Sequence, residues 1–104
     1  MRLEHDDTLL IAASLQMALR LANEKVTRIS DLVVTTQALN DAALHLQAGN
    51  INGSDVEVIS ACLESTRRLI RSDRNVSPSQ RAAVCAQCER IVEMMQRELK
   101  GAKS

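Results

Sequence analysis

The sequence predicts an all-α fold: a four-helix antiparallel up-down bundle forming a single domain over residues 1–104. Apolar side chains recur at the 3.6-residue helical period along nearly the whole chain, and no alternating strand pattern interrupts them. Three breaks cut this pattern into four segments of ordinary bundle-helix length. Glycine (3) and proline (1) are too scarce for a turn-rich β-sandwich or a disordered chain. Short connections then favour antiparallel neighbours.

Each element has its own signals. The first helix is expected over about 7–23, with Asp6 or Asp7 near its positive end. A second runs over about 28–48, started by Thr27 or Ser30 and closed by Gly49 as a left-handed cap. The tract Gly49-Asn50-Ile51-Asn52-Gly53 is the clearest loop. The third helix, about 54–72, opens on Ser54 and Glu57 as a capping box. The fourth, about 77–100, starts with Ser77 as cap, Pro78 in the first position and Gln80 completing a second box, and stops before Gly101.

Drawn at about 100° per residue, three helices show one apolar stripe each. Ile29, Leu32, Leu39, Ala43 and Leu46 mark the second, and Ile59, Leu63, Thr66 and Ile70 the third. Val84, Cys88, Ile91, Val92, Met95 and Leu99 mark the fourth. The first helix carries two stripes side by side, Leu10–Met17–Leu21 and Ile11–Leu15–Leu19, an arc of about 220°. Such a helix is either the central helix or one whose second stripe meets another molecule.

Composition excludes several functions. Phe, Tyr and Trp are all absent, which removes aromatic cation cages, base-stacking platforms and the usual aromatic interface anchors. Thirteen basic and thirteen acidic side chains balance, so no global charge draws the chain to nucleic acid or membrane. The opening Met1–Asp7 is acidic where a signal peptide is basic, and the uncharged run Thr8–Leu19 is too short to span a bilayer. With three cysteines, an odd number, the expected setting is a reducing cytoplasm.

Catalytic and metal chemistry find little support. Cys85-x-x-Cys88 lies two turns into a helix with no strand before it, so the pair reads as residues sharing a helix face, with Cys62 level with Cys88 across a helix hairpin. Buried core thiols are expected, with neither metal nor cofactor; a Cys62–Cys88 bridge is the redox alternative. His45 reads as an i,i+4 partner of Asp41 on a polar face. No phosphate loop, paired-histidine metal motif or nucleophile elbow is present, so no enzyme is expected.

Charge is laid out unevenly. Ile29 to Thr66 contains five acids (Asp31, Asp41, Asp55, Glu57, Glu64) and no lysine or arginine. Arg67, Arg68, Arg71, Arg74 and Arg81 then cluster around the turn between the third and fourth helices, against Asp73 alone. The cluster suits an anion or nucleic acid. Its simpler explanation is a solvated face in which Glu64 pairs with Arg68 and arginines suit a helix C-terminus. A helix-turn-helix would present Ser79, Gln80 and Arg81 to a major groove, but the turn lacks its usual glycine.

The expected function is therefore a non-catalytic, bacterial-type regulatory inhibitor, of anti-activator or anti-sigma-like kind, that binds and sequesters a protein such as a transcriptional regulator. It would also self-associate as a homodimer. Ile11, Leu15, Leu19 and Met94 are the expected partner contacts, because charge depletion with an over-wide apolar arc is what an interface core looks like. The alternative is a helical nucleic-acid-binding regulator using the arginine cluster.

Overall fold

The computed structural model describes the backbone of residues 3–25 and 29–103 and the side chains of 3–24 and 34–101. Four helices account for almost all of it: α1 (His5–Lys25), α2 (Ile29–Ala48), α3 (Gly53–Arg71) and α4 (Pro78–Lys103). No strand occurs among the described residues. The expected start of the second helix at 28, its caps Thr27 and Ser30, and its core residues Ile29 and Leu32 lie outside the described residues or side chains.

The helix ends follow from capping chemistry. α1 begins two residues earlier than predicted, because Asp7 occupies the third helical position. Its carboxylate reaches back to accept the Glu4 N–H at 3.3 Å, while the Thr8 N–H makes the first helical bond to the Glu4 carbonyl. α2 ends as predicted on Gly49, whose φ of +75° only glycine adopts without strain. The Asn50 and Gly49 N–H groups donate to the carbonyls of His45 and Leu46, the paired bonds of a Schellman motif.

α3 is capped by Asn52 rather than Ser54. The Asn52 Oδ1 accepts the Asp55 N–H at 2.9 Å and the Asp55 carboxylate accepts the Asn52 N–H at 3.0 Å, so the capping box forms two residues upstream of the expected Ser54/Glu57 pair. At α4, the Ser77 Oγ accepts the Gln80 N–H at 3.2 Å and Pro78 opens the helix, as predicted. This helix runs through Gly101 to Lys103 instead of stopping near 100.

The core centres on Ile59 and Leu63 of α3, with Ile91 and Met95 of α4, Leu39 and Leu46 of α2, and Ile11 and Leu15 of α1. Helices α1, α2 and α4 all pack on α3, which makes α3 the central helix rather than the first. The wide apolar arc of α1 thus did not mark the helix most enclosed by the others, although α1 also touches α2, α3 and, through Asp7, α4. One buried polar pair crosses this core: the Thr66 hydroxyl donates to the Ser14 hydroxyl at 2.9 Å, satisfying both without water. At the other end of α3, a Cβ at Gly53 would lie 3.1 Å from Leu99 of α4, so the helices approach closely there.

Candidate functional site

The two apolar stripes of α1 divide between core and surface, in the opposite sense to the sequence expectation. Ile11 and Leu15 are 0% and 2% exposed and belong to the core, so neither offers surface to a partner or a second copy. Leu19 is half-buried against the same core. Met17 and Leu21, from the stripe expected to face inward, are half-buried at an open groove instead. Two stripes of equal apolarity cannot be ranked by α1 alone; the faces of α2 and α3 decide which one turns inward.

That groove crosses the face formed by α1, α2 and α3. One hollow of about 260 Å³ lies between Met17 and Leu21 of α1 and Cys62, Ser65 and Leu69 of α3. A second, of about 380 Å³, lies between Val34, Thr35 and Ala38 of α2 and Val58 and Ala61 of α3. Ala18, Cys62 and Ser65 line both, so the hollows join. Alanines and a serine along the floor keep the helix surfaces low, which is why the groove stays open. Val34 at 68% and Leu69 at 45% exposure leave apolar rims in water. Leu9 and Leu44 are also exposed but lie off the groove, and isolated exposures of this kind are ordinary.

Among the described residues, no charged side chain lines either hollow. The groove's described lining is mostly apolar, with Ser14, Thr35, Ser65 and Thr66 as the hydroxyl-bearing members. Its one thiol, Cys62, is buried, and burial pushes it up to about 11, which keeps it protonated. Cys88 is likewise pushed up to about 11, first by burial and then by neighbouring Cys85 and Glu64. Among the described residues, no group of three or more His, Cys, Asp or Glu could hold a metal ion.

His45 does not pair with Asp41. Its Nδ1 lies 2.7 Å from the buried Asp55 carboxylate, tying the last turn of α2 to the first turn of α3. The carboxylate can only accept, so this bond requires hydrogen on Nδ1. A partner ten residues away across a loop is invisible to helical spacing. The contact accounts for the histidine structurally.

The arginine cluster is only partly brought together. Arg67, not Arg68, pairs with Glu64, at 2.8 Å, and it also approaches Glu89 of α4 at 3.5 Å. The hydrogen bond and charge of Glu64 hold its guanidinium above the ordinary value. Arg68, Arg71 and Arg74 are exposed, and Arg71 meets Arg81 at a separate hollow between α3 and α4. Met94 sits apart from the groove on α4, beside Arg97 and Glu98.

A third polar site went unnoticed in the sequence. Asp7 is 1% exposed and accepts hydrogen bonds from Gln87 at 3.0 Å and Arg90 at 2.5 Å, clasping α1 to α4. Burial raises its pKa, but the bonds from Gln87, Arg90 and the Glu4 amide, with the charge of Arg90, outweigh this and hold the carboxyl below its ordinary value.

Fold and groove together define a class, a small all-helical domain with an apolar inter-helix cleft. No protein-family model matches the chain, and neither does any curated protein or solved structure. Among the described residues, no helix is long and apolar enough to cross a membrane.

Proposed function

We propose that this chain is a non-catalytic regulator that sequesters a protein partner by taking an amphipathic helix of that partner into the α1–α2–α3 groove. The observation that carries the reading is the joined pair of hollows, lined mainly by apolar side chains and rimmed by exposed Val34 and Leu69. Helix-in-groove recognition uses this kind of surface, with apolar anchors at helical spacing filling successive depressions. Asp41, seven residues past Val34, shares the outer side of α2, and α2 has no lysine or arginine. The fitting helix therefore carries basic residues along the edge facing α2. Inhibition of the anti-activator kind follows when the captured helix is one the partner needs elsewhere, and a cytoplasmic setting belongs to the same proposal.

The reading takes the four helices as an antiparallel up-down bundle. The proximity of Gly53 to Leu99, together with the Cys85 thiol facing the Arg67 carbonyl at 3.8 Å, supports opposite directions for α3 and α4.

Exposed Ala61 and Ser65 allow the groove to be blocked without touching the core. Tagged wild type and an Ala61→Arg, Ser65→Arg bait are compared by capture from nuclease-treated lysate and mass spectrometry, after circular dichroism shows equal helicity. A stoichiometric protein held by wild type and lost from the blocked bait is the expected result. Equal capture by both baits, or no capture by either, overturns the proposal. Self-association enters only through Met17 and Leu21, and sedimentation of the same two proteins tests it: a dimer in wild type must become a monomer in the blocked form.

The second reading, a polyanion such as nucleic acid at the arginine turn, draws on the exposed Arg68, Arg71 and Arg74. Its signature is an affinity for duplex DNA or RNA that falls linearly with log salt. Undetectable or salt-insensitive binding removes it.

A further inference from the structure

The second concave site, at the α3–α4 turn, has a different chemistry from the groove. Arg71, Pro78, Arg81, Ala82 and Cys85 line a hollow of about 280 Å³ that contains no carboxylate. Arg71 and Arg81 make no ion pair among the described residues. Glu64 and Glu89 are both engaged by Arg67, and Asp73, in the same turn, accepts the Asn75 N–H at 2.9 Å. Cys85 is the one half-buried thiol of the three, and it borders this hollow, while Cys62 and Cys88 are buried. Two guanidinium groups without an ion pair among the described residues and a half-buried thiol, which faces the Arg67 carbonyl at 3.8 Å, thus share one small depression.

We propose that this hollow is a thiol-modification site: Cys85 exchanges with a carboxylate-bearing low-molecular-weight disulfide of the glutathione type, whose carboxylates Arg71 and Arg81 hold. Arginine pairs with carboxylates through short, charge-assisted hydrogen bonds, and partly exposed thiols in positive surroundings are the reactive ones. The hollow is at the small end of ligand-sized cavities, roughly 300–1,000 Å³, so one half of the disulfide fits and the leaving half stays in solvent. Cys85 loses its proton to solvent, and the thiolate attacks one sulfur of the disulfide. The new Sγ–S bond forms as the original S–S bond breaks, and the departing thiolate takes up a proton. The protein thiol is oxidised and half of the reagent is reduced, so no further oxidant is needed. Modification would place added carboxylates beside Arg71 and Arg81 and reduce the positive charge of the turn.

The reduced protein is incubated separately with glutathione disulfide (anionic) and cystamine (cationic), and adducts are timed and located by peptide mass spectrometry. Modification is expected at Cys85 alone, with a preference of about tenfold for the anionic disulfide at low salt, on the order expected for two unit charges near a protein surface. That preference should shrink as salt is added and vanish in Arg71→Gln, Arg81→Gln, both surface changes; Cys85→Ser should take no adduct. Equal rates with the two disulfides, an unchanged preference in the double glutamine variant, adducts mainly on Cys62 or Cys88, or no reaction at all would each overturn the proposal.

Discussion

Replacing Asp7 by asparagine tests how α1 is held against α4. The carboxylate accepts three donors, the Glu4 amide at 3.3 Å, Gln87 at 3.0 Å and Arg90 at 2.5 Å. Asparagine keeps one acceptor oxygen, turns an NH₂ toward one of these donors and removes the charge. A hydrogen bond to a charged group contributes about 1.5–3 kcal/mol, and a lost helix-start bond costs about 1 kcal/mol. Arg90 is 54% exposed and regains water when released, so its share is discounted. The expected net loss is about 2 kcal/mol, which lowers the urea midpoint by roughly 1 M and Tm by roughly 10 °C for a domain of this size.

The same comparison has a pH signature. The folded-state pKa of Asp7 lies below its ordinary value of 3.8, so the stability it contributes is complete above that value and is lost as pH falls through the lower, folded one. Asparagine does not titrate. The gap between wild type and Asp7→Asn should therefore be constant from neutral pH to about pH 4 and close below it, as urea titrations at a series of pH values would show. A gap under about 0.5 kcal/mol at pH 7, within the range of an ordinary surface change, would refute the clasp. So would a gap that stays constant to the lowest pH at which both proteins fold.

Other substitutions separate core from surface. Leu15→Ala should cost about 2–5 kcal/mol by urea unfolding, whereas Met17→Ser at the groove should cost under about 1 kcal/mol; the reverse order would mean that the two stripes of α1 are assigned wrongly. Asp55→Ala removes the carboxylate half of the α3 capping box and the His45 contact, leaving the Asn52 cap, and should cost about 1–2 kcal/mol, with a double-mutant cycle showing that part of the loss is shared with His45→Ala. Gly49→Ala should cost about 1–2 kcal/mol because φ there is +75°, while Gly101→Ala, in a helix with nothing within 4 Å of the added carbon, should stabilise by up to about 1 kcal/mol. Thermal melts of the two glycine variants moving in the same direction would contradict that contrast.

Features decided within a few residues were legible beforehand. The 3.6-residue period placed all four helices, and Gly49, Ser77 and Pro78 marked ends that the structure keeps. What escaped depended on residues distant in the chain. Two overlapping capping patterns, Asn52/Asp55 and Ser54/Glu57, are equally good locally; in the structure the upstream one also receives His45. Arg67 and Arg68 are both spaced to meet Glu64, but only Arg67 also approaches Glu89. Gly101 read as a stop, yet no neighbour forces the chain to turn there. The groove was not legible: charge depletion runs along the first helix, but only packing says that Met17 and Leu21 line a hollow while Ile11 and Leu15 are buried.

The corner between α2 and α3 has a mechanical consequence. The Schellman bonds, the Asn52–Asp55 box and the His45 contact pin one end of α2 to the start of α3. From this corner the 20-residue helix extends about 30 Å. Tilting it by about 5° at Gly49–Asn52 sweeps its far end through roughly 2.5 Å, about half a helical pitch. The second hollow lies between α2 and α3, so a tilt of α2 about this corner would change its width least near the corner and most at the far end. Such a tilt would have to carry the packing of α2 on α1 with it, while the contact of α3 with α4, on the other side of the central helix, need not change.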